Sequence, residues 1–283
     1  MEIWAKNLSS PEGPVLIDSD DILLVEMGED AGCISRVDHN TREKSRLIKT
    51  GRPNGLALDS EGNIWVAESK IPSLLRIDTE MNVSTVMQEC CNTPFLFPND
   101  LVFDDDDFLY MTDSGILHAD FVHNESIRSD YATADYDGKV FQINIRTLEC
   151  RLIDDGLFFA NGIAIGPDGD LYVNETITGN VYRYGKMNGQ YNRRKRTLFG
   201  NVIRDDGLVY YRGPDGMKFS ETGNLYCTVY GQGNVAVLDR KGTVVTWLET
   251  IGKCPTNLVF GPKNSHLMFV TEVSNGVLEC HQV

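Results

Sequence analysis

A hairpin-like unit recurs six times along this chain, and this repetition constrains the fold more than any other feature. Each copy contains a small or polar turn, an alternating apolar run, a turn rich in Gly and Asp, and a second alternating run. The clearest copy reads PNGLAL, DSEGN and IWVAE over residues 53–68. Because alternation with period 2 in segments rich in β-branched and aromatic residues is typical of strands, the chain is predicted to be all-β.

The spacing of the copies predicts the architecture. Aligned on their second residues, consecutive copies are separated by 42, 45, 62, 54 and 41 residues, which is the length of a four-stranded propeller blade. The last copy is one strand short, whereas the chain begins with a spare strand at residues 2–5. We therefore predict one domain, 1–283, folded as a six-bladed β-propeller around a central channel and closed by the N-terminal strand. An open solenoid would need polar capping repeats, and none is visible.

The second residues of the copies predict a polar ring, because the first strand of each propeller blade lines the channel. Cys and His are missing from these positions, which argues against zinc or copper. Two carboxylates and two amides among them form an oxygen set of the kind that calcium prefers. Alternatively, Asn-Gly and Asp-Gly serve only as turn formers at the start of each blade. The six residues are Glu12, Asn54, Asn99, Asn161, Asp215 and Thr256.

Several segments resemble the gluconolactonase / senescence-marker-protein / luciferin-regenerating-enzyme family. They are PNGLALD at 53–59, ANGIA at 160–164 and GPDGM at 213–217; VYGQGNV at 229–235 with DRKG at 239–242 resembles the drug-responsive lactonase branch. The similarity covers essentially the whole chain. It implies a six-bladed propeller with a catalytic calcium, or alternatively zinc, magnesium or manganese. It also implies four metal ligands, which are Glu12, Asn99, Asn161 and Asp215.

The resemblance implies hydrolysis of a lactone or a related ester, since a bound cation polarises a carbonyl and stabilises the charge that develops on its oxygen. Asp215 is the predicted catalytic residue, either as a base on water or as a nucleophile, and the alternative is that it is only a ligand. Two other functions stay open at this point. One is a phosphotriesterase-type hydrolase with the same centre, and the other is a non-catalytic binding propeller that the metal stabilises.

The predicted substrate is a small, relatively apolar lactone or ester. Sugar-lactonase members of the family carry an arginine two residues before the first ligand Asn, and Phe97 stands at that position here. Lys218, three residues after Asp215, argues against the second, structural calcium of the phosphotriesterase branch. The ends of the second strands are expected at the same face as the ring. The residues predicted to contact substrate are Asn54, Phe97, Asp113, Glu175, Tyr230 and Thr256.

Net charge and cysteine content limit which partners and which cellular compartment are expected. A net charge of -15 argues against nucleic acid and anionic membranes, which are polyanions. Residues 1–6 show no signal-peptide pattern, and no apolar stretch approaches the roughly 20 residues that a membrane helix needs. Seven cysteines without C-x-x-C spacing predict reduced thiols, and a cytoplasmic location is therefore expected. The oligomeric state is not predicted.

Three further segments have simple interpretations. The basic run at 193–196 is predicted to be a solvated loop, and the acidic run at 104–107 a solvated hairpin turn. The long gap between the third and fourth copies contains residues 116–136, which form either a lid over the channel mouth or an insertion without a role.

Overall fold

Six four-stranded antiparallel sheets make up the computed structural model, which describes residues 1–123 and 126–283. The sheets follow one another along the chain, so each is one blade. The strands of blades 1 to 3 are β2 (Pro11–Leu16), β3 (Ile22–Glu26), β4 (Cys33–Val37) and β5 (Lys44–Lys49); β6 (Pro53–Leu58), β7 (Ile64–Glu68), β8 (Ser73–Ile77) and β9 (Val83–Met87); and β12 (Pro98–Phe103), β13 (Phe108–Asp113), β16 (Gly138–Asn144) and β17 (Cys150–Leu157).

Blades 4 to 6 repeat the same plan, and the last one includes the N-terminal strand. Two short hairpins lie outside the blades: β10 (Glu89–Cys90) with β11 (Thr93–Pro94), and β14 (Val122–His123) with β15 (Ser126–Ile127). The remaining strands are β18 (Ala160–Ile165), β19 (Leu171–Glu175), β20 (Asn180–Met187) and β21 (Gln190–Asn201); β22 (Gly213–Phe219), β23 (Leu225–Tyr230), β24 (Asn234–Leu238) and β25 (Val244–Glu249); and β26 (Pro255–Phe260), β27 (Leu267–Glu272), β28 (Val277–Gln282) and β1 (Glu2–Ala5).

The ring closes as predicted. β1 pairs antiparallel with β28, the last strand of the chain, and completes the sixth blade as its outermost strand. Each innermost strand also packs against the innermost strand of the next blade, and β26 packs against β2. The prediction of a six-bladed propeller with a closing N-terminal strand is therefore confirmed.

Every innermost strand contains the same irregularity. In all six blades the pairing between the first two strands shifts register directly after the first one or two residues of the first strand. Proline begins most of these strands, where its missing N–H is tolerated. Because such a bulge bends the strand and redirects its side chains, the second and third residues of each copy leave the ordinary alternation.

The apolar core lies between neighbouring blades. Trp65 of blade 2 and Phe141 of blade 3 share one cluster, and both side chains are almost completely buried. Trp4 of the closing strand packs edge-on against Phe269 of blade 6, with the ring centroids 5.1 Å apart. Complete burial of such side chains stabilises the fold by about 1.5–3 kcal/mol each. The repeats therefore stabilise one another across the blade interfaces.

Residues 116–136 form an insertion within blade 3, and residues 124 and 125 of it lie outside the described part. Its described part contains α1 (His118–Phe121), the β14–β15 hairpin and a 3₁₀ turn (Tyr131–Thr133). Among the described residues, no helix is both long enough and apolar enough to cross a membrane.

The insertion packs over the end of the channel at which the innermost strands begin. Phe121 lies 4.7 Å from Phe159 and 5.8 Å from Tyr211, and Phe97 lies 5.8 Å from Phe159 (all between ring centroids). Phe97, Phe159 and Tyr211 come directly or shortly before the first strands of blades 3, 4 and 5. We call these four residues with Tyr136 the aromatic cluster; it covers one side of the channel mouth.

Two of the minor predictions are wrong, and one is confirmed. The run at 193–196 lies in strand β21 rather than in a loop, and Arg193 and Arg196 form ion pairs with Asp154. Cys90 and Cys150 form a disulfide instead of being reduced, although the other cysteines of the described residues are free. The acidic run at 104–107 is the hairpin turn between β12 and β13, as predicted.

Candidate metal centre

The six aligned residues all lie at the bulges of the innermost strands, at the same end of the channel. We call them the axial ring; its members are Glu12, Asn54, Asn99, Asn161, Asp215 and Thr256. Glu12 and Asn99 are each 4% exposed, and Asn161 is 5% exposed. The repeat therefore brings together residues that lie far apart in the sequence, such as Glu12 and Asp215, which are 203 positions apart.

Hydroxyl groups hold the side chains of two ring asparagines. Asn99 Nδ2 donates to Ser114 Oγ over 3.0 Å, and that hydroxyl donates to the carbonyl oxygen of Ala160 in the next blade, also over 3.0 Å. Asn161 Nδ2 donates to Thr176 Oγ1 over 3.1 Å, and Thr176 in turn donates to Pro214 O over 2.8 Å. Because each amide nitrogen is engaged in this way, the amide oxygen is the atom left to serve as a ligand.

The two ring carboxylates lack the partners that buried acids normally have. Among the described residues, Glu12 Oε2 is buried without any hydrogen-bond partner. Burial, followed by the charges of Asp100 and Asp215, raises the pKa of Glu12 well above its ordinary value. Burial also raises the pKa of Asp215 to about 8, with Asn161 opposing this rise and Asp100 adding to it. Two carboxylates that repel each other, together with two oriented amides, fit a divalent cation with oxygen ligands.

A third carboxylate in the channel, that of Asp100, was not among the predicted site residues. Its two oxygens accept the backbone N–H groups of Leu101 (2.9 Å) and, in the next blade, Ile163 (3.3 Å). Burial raises its pKa, whereas the Lys218 ammonium group opposes this rise. The sequence did contain a signal, since the third residue of the other copies is Gly or Asn and only this copy has an acid.

The second strands end in acids that bind the backbone of their own blade. Glu26 Oε2 accepts Ser9 N–H (2.7 Å), and Glu175 Oε2 accepts Phe158 N–H (2.7 Å). Three further blades make the same contact between the strand-end carboxylate and the loop before the first strand. We call this set the clamp acids; they are Glu26, Glu68, Asp113, Glu175 and Glu272.

Two of the residues predicted to contact substrate, Asp113 and Glu175, are clamp acids. Asp113 accepts N–H groups of Leu96 and Phe97 and is 2% exposed, and Glu175 is 3% exposed. These bonds indicate that both carboxylates hold the loops that carry the ring, and their role in substrate binding stays a prediction. Tyr230 occupies the clamp position in blade 5 and pairs with Tyr211 at a centroid distance of 5.7 Å.

The remaining predicted contacts differ in how accessible their polar atoms are. Thr256 Oγ1 donates to Pro11 O over 2.8 Å and so joins the last blade to the first. Asn54 is buried, and its side chain makes no hydrogen bond within the described residues, so its amide is available to a ligand or to water. Phe97 is 4% exposed and belongs to the aromatic cluster at the mouth. Binding of substrate by these three residues stays a prediction.

The mouth also contains a cation that the sequence reasoning missed. Arg52 stands two residues before Asn54, and its guanidinium lies over the Phe97 ring, 5.4 Å from the centroid. Burial lowers its pKa to about 10, against the opposing charges of Glu68 and Glu12. His118 of the insertion lies edge-on to Phe97, at 5.5 Å, and burial together with the Arg52 charge lowers its pKa to about 4. At neutral pH, Arg52 is therefore charged and His118 neutral.

Together, the fold and the ring define a class of protein: a six-bladed propeller with a buried, oxygen-lined site in its channel. The chain belongs to the family described as SMP-30/Gluconolactonase/LRE-like region, whose model matches residues 10–274. This membership confirms the family resemblance of the sequence motifs.

Individual relatives agree with this assignment. The gluconolactonase of Zymomonas mobilis is 27% identical over 98% of this chain and 80% of its own length. A gluconolactonase structure from Xanthomonas campestris has a TM-score of 0.80 at 20% identity, covering 98% of this chain and 87% of that one. A calcium-binding protein, regucalcin, from Agrobacterium tumefaciens has a TM-score of 0.79 at 16% identity, covering 100% and 93%. Since identity to the two structures is low, they show that the fold is shared.

Proposed function

We propose that this protein hydrolyses a lactone, with a divalent cation, calcium in the first place, held by Glu12, Asn99, Asn161 and Asp215. The observation that carries this proposal is the buried Glu12 carboxylate, one oxygen of which has no hydrogen-bond partner in the described structure. Leaving a buried carboxylate oxygen unpaired costs several kcal/mol unless a cation compensates it. Family membership and the gluconolactonase relative support lactone hydrolysis as the reaction.

The choice of calcium follows from the donor atoms. All four ligands offer oxygen, and calcium accepts six to eight oxygen ligands in a flexible geometry, so water and substrate would complete the set. Magnesium, manganese and zinc are the alternatives, of which zinc fits least because no nitrogen or sulfur ligand belongs to the ring. The calcium-binding regucalcin with the same fold supports calcium as well.

When bound, the cation would supply a Lewis acid that polarises the lactone carbonyl and stabilises the negative charge on its oxygen. Asp215 supplies the remaining chemistry. A neighbouring cation favours its carboxylate form, which accepts a proton from water as the water oxygen attacks the carbonyl carbon. The C–O bond within the lactone ring then breaks, and the proton passes from Asp215 to the alkoxide oxygen, which gives a hydroxy acid. Direct attack by the Asp215 carboxylate is the alternative route.

The substrate is expected to have an apolar body. Phe97 and its neighbours in the aromatic cluster line the side of the mouth next to Asn99 and Asn161. Aromatic side chains favour flat, apolar groups over the hydroxyl-rich rings of sugars. An aromatic or alkyl lactone is therefore proposed ahead of a sugar lactone.

A hydrolysis panel tests the function. Aromatic lactones, alkyl lactones, aryl esters and phosphotriesters would be assayed in calcium and, separately, after chelation. We expect calcium-dependent turnover of lactones, with sugar lactones the poorest of them. Faster turnover of phosphotriesters would replace the lactonase assignment by a phosphotriesterase. If no compound is turned over and chelation only lowers thermal stability, the protein is a binding propeller.

Isotope labelling separates the two roles of Asp215. Under single-turnover conditions in ¹⁸O-labelled water, a base mechanism places the label directly in the hydroxy acid product. A nucleophilic mechanism forms an anhydride between Asp215 and the substrate, and water that attacks the Asp215 carbonyl of this anhydride leaves its label in the Asp215 carboxylate. Peptide mass spectrometry detects that label, which the base mechanism cannot introduce.

A further inference from the structure

The geometry points to a second recognition element in the channel mouth: we propose that Arg52, Phe97 and His118 form a subsite for the carboxylate of a flat, apolar molecule. The carboxylate would accept hydrogen bonds from the Arg52 guanidinium, and its apolar body would lie against the two rings. This inference rests on the proposed function in one respect: it takes the bound carboxylate to belong to a substrate or to the hydroxy acid product. Binding itself can be measured without turnover.

The Arg52 guanidinium has few partners within the protein. Among the described residues it makes one hydrogen bond, from Nη1 to Ser69 Oγ over 2.9 Å, and no carboxylate oxygen lies within 4.0 Å of its nitrogens. Five N–H donors are available on a guanidinium, arranged to bind a carboxylate with two parallel bonds. A half-buried arginine without an ion pair is therefore suited to receive an anion.

The neighbouring acid does not satisfy this cation. Glu68 Oε1 accepts the backbone N–H groups of Arg52 (2.6 Å) and Lys70 (2.9 Å), so it acts as a clamp acid. Its other oxygen, Oε2, is buried and has no hydrogen-bond partner in the described structure. Glu68 thus binds the main chain of Arg52 and leaves the side chain directed at Phe97.

The apolar half of the subsite surrounds the Arg52 guanidinium. The Arg52 guanidinium lies over one face of Phe97, and His118 contacts the ring edge-on at 5.5 Å. Being neutral at pH 7, His118 adds no second positive charge and can donate one N–H to the anion. Arg52 and Phe97 stand two residues before the ring members Asn54 and Asn99, so the subsite is next to the axial ring.

Binding of 3-phenylpropionate, compared with its uncharged amide 3-phenylpropionamide, tests the subsite by calorimetry in calcium. We expect wild type to bind the acid at least about tenfold more tightly than the amide, because charge-assisted bonds are the stronger ones. Arg52→Met, which keeps chain length and removes charge, should erase this preference, and Arg52→Lys should keep part of it. Arg194→Met, at an exposed position of β21, is the matched control and should bind as wild type does.

Retained preference for the acid in Arg52→Met would overturn the subsite, and so would equal binding of acid and amide by wild type. Unchanged melting temperatures of the variants would establish that they are folded. The lactonase assignment is tested separately with a neutral lactone and the same lactone carrying a carboxylate. If wild type hydrolyses neither, the proposed function fails while the binding result stands. If both are hydrolysed, Arg52→Met should raise KM at least about tenfold for the carboxylated lactone alone.

Discussion

Two sets of carboxylates lie at the same end of the propeller, and they differ in their hydrogen-bond partners. The clamp acids accept backbone N–H groups, and hydrogen bonds lower the pKa of Glu26 and of Glu272 although burial alone would raise both. In the axial ring, the pKa values of Glu12 and Asp215 are raised, because burial and like charges outweigh the opposing effects of Asn257 and Lys218 on Glu12 and of Asn161 on Asp215. Asp113 is the exception among the clamps, since burial raises its pKa despite three N–H partners.

This difference separates structural acids from a candidate functional site. An acid whose charge is compensated by its own blade stabilises the fold and needs nothing further. The ring acids Glu12 and Asp215 lie on the innermost strands without hydrogen bonds from backbone N–H groups among the described residues, and this supports the proposed cation. Both sets consist of Asp and Glu, so the hydrogen-bond partners distinguish them: every clamp acid accepts at least one backbone N–H group, although Glu68 Oε2 has no partner, whereas the Glu12 and Asp215 carboxylates accept none among the described residues.

The largest effect is expected for Asp215→Asn. The amide keeps the shape of the side chain but cannot accept a proton from water, so kcat should fall by about 10²–10⁴-fold. Steady-state lactone hydrolysis in saturating calcium measures this. Asp105→Asn, in the exposed turn after β12, is the control and should leave kcat unchanged. Full activity of Asp215→Asn would reduce Asp215 to a ligand or remove it from the site.

Stabilisation of the protein by calcium should depend on the axial ring and not on the clamp acids. At a hundredfold excess over its Kd, calcium is expected to add about 2.7 kcal/mol to the free energy of unfolding, and so to raise the melting temperature by several degrees. Glu12→Gln should lose most of this calcium-dependent shift because it removes a charged ligand. Glu175→Gln should retain the whole shift, starting from a lower melting temperature. Equal shifts in both variants would remove Glu12 from the cation site.

Substitution of a clamp acid should lower the free energy of unfolding when calcium is absent. Glu175 accepts Phe158 N–H over 2.7 Å and also hydrogen-bonds the Tyr182 hydroxyl at 3.2 Å. Glu175→Gln replaces a charged acceptor with a neutral one in this buried position, so the free energy of unfolding should fall by about 1–3 kcal/mol. Urea unfolding measures this, with Glu221→Gln in an exposed turn as the control. A loss equal to that of the control would contradict the clamp role.

The smallest expected effect is a change in the acid dependence of stability. The pKa of Glu26 is lowered, because bonds from Ser35, Ser9 N–H and Lys44 outweigh the effect of burial. A lowered pKa means that this stabilisation is present above the unfolded value of 4.5 and is lost as pH falls through the folded value. Glu26→Gln should therefore flatten the decline of unfolding free energy below about pH 4.5. An unchanged slope in urea titrations at pH 3–6 would show that Glu26 is not compensated as described.

Much of the fold was predictable because the repeat is periodic. Strands, blade number and the closing strand follow from six copies of one alternating pattern and from a copy that is one strand short. The basic run was misread, because Arg193 and Arg196 look solvated in isolation but belong to an outer strand beside Asp154. The disulfide was missed for a related reason, since Cys90 and Cys150 are 60 positions apart and neither lies in the two-stranded hairpin on which the copies were aligned.

The candidate site was likewise predictable in part. By itself, the sequence determined that Glu12, Asn99, Asn161 and Asp215 occupy equivalent repeat positions, because a closed ring of like blades brings such positions to one axis. Only the tertiary structure decided which acids lack partners and that the Arg52 guanidinium faces Phe97 without an ion pair. The bulge in each first strand also appears only there. Repeat position is encoded along the chain, whereas the compensation of a buried charge depends on atoms that the fold brings from neighbouring blades.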